Sequence, residues 1–271
     1  MNIQNRRVLL TGASGGIGRE LAFALAAQGA TVLLSGRKTL VLDNIANAIV
    51  NLGGKARVLP CDLSAPGGPQ RLIDDATRDS EPLDALVNCA GVSYFGMTED
   101  LSASQLDLLW RTNVIAPMQL AQAALPAFKQ RGQGMIVNVG SIFGSIGFPC
   151  FAAYSASKFA LRGFSEALRR ELDGSGLQVL YVAPRYTKTA INDGAVSRMA
   201  EAVSMKQDEP QTVAQAIVAA MRADAKERFF GWPERFFVRL NGLFPRLVDN
   251  GLREQGKQMR PFAQSSASAA P

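Results

Sequence analysis

The chain has 271 residues, 47% of them hydrophobic, and a net charge of +6, which suits one sizeable core in an ordinary soluble composition. It has no histidine, so histidine-assisted hydroxyl chemistry, histidine-bearing zinc sites and histidine general bases are excluded, and proton transfer falls to Tyr, Lys, Cys, Asp or Glu. Cys61, Cys89 and Cys150 form no CxxC pair and read as reduced thiols of a cytoplasmic protein. No metal site is expected. No apolar run reaches the length of a membrane span, and Met1–Gly12 runs into a strand-like segment without the features of a secretory signal. Between Arg228 and Phe262 there are seven basic and three acidic residues. Most of the charge excess therefore sits in the C-terminal part, and a nucleic-acid partner is not expected.

The first strand is expected over Arg7–Leu10 and the first helix over Gly18–Gln28. Between them lies Thr11-Gly12-Ala13-Ser14-Gly15-Gly16-Ile17-Gly18. Glycines here permit a tight turn and a close backbone approach to a pyrophosphate, and the helix start offers free amides and the positive end of its dipole. A plain strand-to-helix turn could carry the same glycines, but placement directly between the two elements favours dinucleotide binding. The second strand, Thr31–Ser35, ends at Gly36-Arg37-Lys38. A carboxylate at this strand end would bond the adenosine ribose and repel a 2′-phosphate. A guanidinium does the reverse, so Arg37 points to NADP(H), with NAD(H) as the alternative.

A helix follows over Leu40–Leu52, then strands over Ala56–Cys61 and Ala85–Asn88. A long helix over Leu101–Phe128, a strand over Met135–Val139, a helix over Ala153–Leu172 and a strand over Gln178–Val182 complete the pattern. Strands alternating with helices, the strands being near-continuous apolar runs, predict a doubly wound parallel α/β sheet of the Rossmann type. The expected division is a dinucleotide-binding and catalytic domain over 1–228, an amphipathic extension over 229–262 and a disordered tail over 263–271.

Tyr154 and Lys158 stand four apart and so share a helix face. A free phenol titrates near ~10, too high for a good base at neutral pH. A nearby ammonium, or a positively charged nicotinamide, would favour the phenolate.

Taken in order, these segments resemble the short-chain dehydrogenase/reductase family over Arg7–Thr189, about two-thirds of the chain. The glycine motif agrees. Asn88-Cys89-Ala90-Gly91 is similar to the family's Asn-Asn-Ala-Gly turn, with Cys89 in place of the second Asn. Asn113 corresponds to the helix asparagine, Ser141 stands thirteen residues before Tyr154, and Tyr154 with Lys158 matches YxxxK. The resemblance implies that Tyr154 transfers a proton to or from substrate oxygen and that Ser141 hydrogen-bonds the same oxygen. It implies that Lys158 binds the nicotinamide ribose and lowers the Tyr154 pKa, and that Asn113 holds a water in a relay to Lys158. By the same resemblance Gly12, Ser14, Gly15, Gly16, Ile17, Gly18, Arg37, Asp62, Leu63, Asn88, Ala90, Gly91, Pro184, Thr187 and Thr189 contact the cofactor, Asp62-Leu63 as the adenine pair and Thr189 at the carboxamide. Asn88 reads more as a stabiliser of the sheet than as a catalyst. As plain structure, Ser141 would be a strand-end cap, Asn113 an amide satisfying a kink and Asp62 a turn cap.

Two departures stand out. Arg185 replaces the family's glycine after Pro184; it either meets an anionic group of the substrate or, as preferred, points to solvent. The C-terminal extension offers a short strand at Arg228–Pro233 and two amphipathic segments, one with Phe236, Leu240, Leu243 and Phe244, the other with Leu247, Val248, Gly251 and Leu252. These are expected to pack as a roof over the cleft or against a second subunit, with peripheral contact to an anionic membrane as the alternative.

Phe95, Ile142, Phe143, Ile146, Phe148 and Phe151 suggest an apolar carbonyl or alcohol as substrate. The expected protein is an NADP(H)-dependent oxidoreductase and a homo-oligomer. The alternatives are an NAD-dependent alcohol dehydrogenase, a non-catalytic dinucleotide sensor, and redox-neutral epimerase or dehydratase chemistry.

Overall fold

The structure, a computed structural model, describes residues 1–78, 81–192 and 194–267. Seven parallel strands form one sheet among the described residues. They are β1 (Arg7–Thr11), β2 (Thr31–Gly36), β3 (Lys55–Pro60), β4 (Ala85–Asn88), β5 (Gly134–Val139), β6 (Leu177–Ala183) and β7 (Glu227–Phe229). Their spatial order is β3-β2-β1-β4-β5-β6-β7. The chain runs outward from β1 to β3, then returns to β4 on the other side of β1. Loops leaving the carboxyl ends of β1 and β4 therefore diverge and open a crevice, where ligands of such sheets bind.

Side chains alternate across each strand, and both sheet faces are covered. Val8 and Leu10 of β1 join the core formed with α1 (Gly16–Ala27), α2 (Thr39–Asn51) and α8 (Pro210–Arg222), through Leu21, Leu42, Ile45 and Ile217. Leu9 points the other way. It packs with Leu72 of α3 (Gly68–Thr77), Phe128 of α5 (Ala116–Arg131) and Leu168 of α6 (Ala152–Glu171). Burial on both faces is why these strands read as continuous apolar runs.

The long helix expected over Leu101–Phe128 is divided. A Ser102–Gln105 capping box starts α4 (Ala103–Trp110), and a π-helical turn over Arg111–Ile115 links it to α5. Pro117 supplies the physical reason. It has no N–H to give to the Asn113 carbonyl four residues back, and the chain passes that position in a widened turn, with the Ala116 amide on Arg111 O.

After β6 the chain forms α7 (Ala195–Ala202), α8 and β7, then α9 (Trp232–Leu243) and α10 (Pro245–Ala267). The strand expected near Arg228–Pro233 is thus β7, which stops before Gly231, and Trp232 already opens a helix. Helix α10 continues through Ala267, into the stretch read as a disordered tail. Residues 268–271 lie outside the described residues. No helix among the described residues is long and apolar enough to cross a membrane.

Candidate active site

The carboxyl ends of β1, β4, β5 and β6 meet around a cavity of about 520 Å³. One end is built by the glycine loop. Gly12 has φ +69°, and a side chain there would press within 2.7 Å of the Ala90 backbone. A side chain on Gly16 would overlap Thr189 at 2.4 Å. Gly15, just before α1, has no side chain to cap the helix, so the first amides of α1 remain free for an anion. Thr11, buried at the end of β1, accepts hydrogen bonds from the Cys89 and Ala90 amides at 3.1 and 3.2 Å and fixes that turn beside the loop. Arg37 is exposed at the rim and Gly36 lies beneath it. Asp62 also lines the cavity, but its Oδ1 accepts from the Ser64 amide and hydroxyl at 2.9 and 2.6 Å. Those bonds, with Arg37 nearby, lower its pKa. It is a turn cap and a wall residue together.

Asn88 Nδ2 donates to Asn138 Oδ1 at 2.8 Å, and Asn138 Nδ2 donates to Ser165 Oγ at 2.8 Å. This buried chain ties β4 to β5 and α6, which matches the structural role read for Asn88. The Asn113 side chain is fully buried. Its Oδ1 accepts from the Val92 amide at 2.9 Å, and its Nδ2 donates to Val92 O at 2.9 Å and Ser157 Oγ at 3.0 Å. One amide hydrogen thus holds the turn after β4 and the other ties it to α6.

Ser141 follows β5 and caps the short turn Ile142–Gly144, its Oγ accepting from the Phe143 amide at 3.1 Å. Tyr154 and Lys158 project from α6 on one face, with Lys158 Nζ 5.7 Å from the Tyr154 ring centre. Lys158 Nζ donates to Val139 O at 3.3 Å. Burial pushes the Tyr154 phenol up to about 12 against the pull of a hydrogen bond to Ser141, and pushes Lys158 down to about 8. The lowering of the phenol expected from Lys158 is not found: burial sets the direction, and Ser141 is what opposes it.

Behind Ser141 lies Tyr181, fully buried in β6, whose hydroxyl donates to Ser141 O at 3.2 Å. This support was missed in the sequence, where QVLYV reads as an ordinary apolar strand.

Arg185 corrects both sequence readings. Its guanidinium grips Asp208 through two bonds, at 3.0 and 2.7 Å, and reaches Glu234 at 3.2 Å. It faces neither solvent nor a free anion subsite; it fastens the end of β6 to the segment before α8 and to the first turn of α9. Thr187 is buried, with Oγ1 donating to Arg185 O at 3.0 Å, while Thr189 lies against Gly16. Pro184 accepts from the Ile142 amide at 2.9 Å and so ties this segment to the Ser141 turn.

The remaining wall is aromatic. Phe143 stacks on Phe148 at 4.2 Å, Phe151 lies 4.8 Å from Phe95, and both Phe143 and Phe151 stand within 6.3 Å of the Tyr154 ring. Val196 and Met199 from α7, with Met259 and Phe262 from α10, close the same cluster. Ile146 is a correction: it packs on the far side with Tyr181, Val238 and Val248. Met259 and Phe262 were missed because they come from a distant segment without a local motif. No group of three or more acidic or Cys side chains suited to a metal exists among the described residues.

The chain matches a family model described as short chain dehydrogenase over residues 6–200. The ketoacyl reductase HetN of Nostoc sp. is 34% identical over 228 residues, covering 83% of this chain and 78% of that protein. The dehydrogenase/reductase SDR family member 7B of Bos taurus is 31% identical over 272 residues, covering 94% and 84%. Among solved structures, a metagenomic short-chain oxidoreductase in complex with NADP has TM-score 0.73 at 30% identity, covering 85% of this chain and 98% of that one. A short-chain dehydrogenase from Sphingobium yanoikuyae in complex with NADPH has TM-score 0.77 at 28% identity, covering 90% and 95%. A Burkholderia phymatum protein of the same type, in complex with NAD, shares the fold with TM-score 0.84 at 21% identity, covering 92% and 96%.

Proposed function

The chain belongs to the short-chain dehydrogenase family, and on that premise we propose that it is an NADP(H)-dependent oxidoreductase acting on a carbonyl or secondary alcohol of an apolar small molecule. The observation that carries this reading is the position of Tyr154, Lys158 and Ser141 between a glycine-lined cradle and an aromatic wall.

The cradle fits a dinucleotide. Gly12 and Gly16 leave no room for a Cβ, and the free amides of α1 suit a pyrophosphate. Gly12, Ser14, Gly15, Gly16, Ile17 and Gly18 would hold it. Asp62 and Leu63 would flank the adenine, and Asn88, Ala90 and Gly91 would back the nicotinamide side, with Pro184, Thr187 and Thr189 opposite. Arg37 favours a 2′-phosphate over a bare ribose, and the complexes of relatives with NADP and NADPH support the same preference; NAD(H) is the alternative. When bound, the nicotinamide supplies or accepts the hydride.

Tyr154, held neutral by burial, is suited to donate a proton to the substrate oxygen during reduction. Ser141 lies within hydrogen-bond reach of the same phenol and stabilises charge developing on that oxygen. Lys158, protonated below about pH 8, would hold the nicotinamide ribose and favour the phenolate left after proton transfer. Asn113 would serve the relay through its main-chain carbonyl, since Pro117 denies that carbonyl its usual helical donor. The Phe95, Phe143, Phe148 and Phe151 wall excludes water and favours an apolar substrate. A homo-oligomer remains part of this proposal, with Leu106, Leu108 and Ile115 among the exposed apolar side chains open to a second copy.

Purified protein incubated with NADPH and a panel of apolar ketones should consume NADPH with one alcohol formed per NADPH used. Substrate conversion without net NADPH loss would favour epimerase or dehydratase chemistry. Tight NADPH binding with no turnover of any compound would favour the sensor.

A further inference from the structure

Helix α9 presents two unlike faces. Its inner face is committed: Val238 is buried, Asn241 donates to Ser145 O at 2.9 Å, and Glu234 is held by Arg185. Its outer face carries Trp232, Arg235, Phe236, Arg239 and Leu243, spaced as one stripe of a helix. Trp232 is 77% exposed and Leu243 74%, and the stripe continues round the corner into α10 with Phe244 at 58% and Leu247 at 60%. The Trp232 and Phe236 rings stack at 6.2 Å, forming one apolar ridge.

Beside that ridge lies a second cleft, of about 580 Å³, between α6, β7 and α9. Arg162, Arg228, Arg235 and Arg239 line it. Among the described residues the only acid in its lining is Glu227, which already faces Arg169 at 3.8 Å. Among the described residues no ion pair is made by Arg228, Arg235, Arg239 or Arg246. The Nε of Arg162 is buried without a hydrogen-bond partner, while its Nη1 donates to Ser145 at 2.7 Å.

We propose that the α9 face is a docking surface for an anionic lipid bilayer, with the Trp232–Leu247 ridge entering the headgroup boundary and the arginines meeting lipid phosphates. An aromatic and leucine ridge flanked by unpaired arginines is the chemistry that such a boundary satisfies at both levels. A second copy satisfies it poorly. A two-fold contact through this face would set Arg235 and Arg239 against their own counterparts, with no acid on the outer stripe to neutralise them. This assignment is independent of the reaction proposed above.

The test is co-sedimentation of the full chain with vesicles of phosphatidylcholine alone and of phosphatidylcholine mixed with phosphatidylglycerol. Wild type should bind the mixed vesicles and not the neutral ones, and added salt should release it. Arg235→Gln with Arg239→Gln should weaken partitioning on the order of 25-fold, about fivefold for each arginine. Trp232→Ser with Phe236→Ser should weaken it at unchanged charge. Thermal melting and NADPH affinity of both variants should match wild type, since these side chains lie on the exposed face. A blue shift of Trp232 emission, read in a Trp110→Phe background, should accompany binding. The proposal is overturned by equal binding of wild type and the arginine variant. It is likewise overturned if inorganic phosphate binds through the arginines while vesicles do not, or if the Trp232/Phe236 variant only dissociates an oligomer in light scattering.

Discussion

Tyr154, half-buried, and Lys158, buried, share one corner of the cavity but answer to burial in opposite senses, because the phenol is charged when deprotonated and the amine when protonated. Tyr154→Phe keeps the ring and loses the transferable proton. Turnover should fall by about 10²-fold or more, with NADPH affinity little changed in a fluorescence titration. Near-normal turnover in that variant would remove Tyr154 from the mechanism. Lys158 gives a prediction about stability. Its folded pKa of about 8 lies below the ordinary 10.5, so between those values the unfolded chain binds more protons. Stability should therefore rise with pH across that window, and the cost of burying the ammonium should be fully present below it. Urea melts of wild type and Lys158→Met at a series of pH values should diverge in this sense; parallel curves would mean that the amine is not held in a depressed state. Arg37 sets a third test. Arg37→Ala should cost about ten- to a hundredfold in NADPH affinity and leave NADH affinity nearly unchanged.

At the level of elements, the glycine loop, the strand ends and the Tyr–Lys spacing were legible because each is dictated by neighbours in the chain. A loop between a strand and a helix announces itself through glycines, and two residues four apart share a helix face whatever else is present. Arg185 was not legible in this way. Its partners Asp208 and Glu234 lie on two later segments, and only the folded chain brings them to one guanidinium. The π-helical turn was readable in principle from Pro117, since a proline cannot donate to the carbonyl four residues back, but the apolar spacing around it looks like one unbroken helix. The Arg185 clamp predicts its own effect. Arg185→Ala would leave two carboxylates together without their cation, costing about 1–3 kcal/mol in a chemical melt. It should also speed amide exchange in α9 while leaving that of α1 unchanged. Equal exchange in both helices would show that the clamp does not hold α9.

Across the whole molecule, the cavity has two ends of different origin. The cradle end comes from elements near the start of the chain, the aromatic end from the middle, from α7 and from the far half of α10. Met259 and Ala263 are fully buried behind that second end and Gln255 lines the cavity, so α10 backs the wall despite its polar outer surface. Met259→Ala should raise KM for an apolar substrate while leaving NADPH affinity unchanged, and should cost about 2–5 kcal/mol if the cavity does not collapse. A parallel loss of NADPH affinity would mean that α10 supports the sheet as a whole. The extent of this wall could not be read from local pattern, because Met259 and Phe262 belong to a helix whose remaining residues are largely charged or polar.

The late position of α10 also bears on how a newly made chain acquires its activity. The nascent polypeptide emerges with the cradle first, and α10 follows the completed sheet by some seconds at ordinary synthesis rates of about 5–20 residues per second. If the sheet folds in that interval, the cradle would be offered to a dinucleotide while Phe143 and Phe151 still lack the cover of Met259 and Phe262. Cofactor capture would thus precede substrate recognition in the life of each molecule. A chain ending before Met259 would lack the packing that backs the aromatic wall and so could not form the finished cleft.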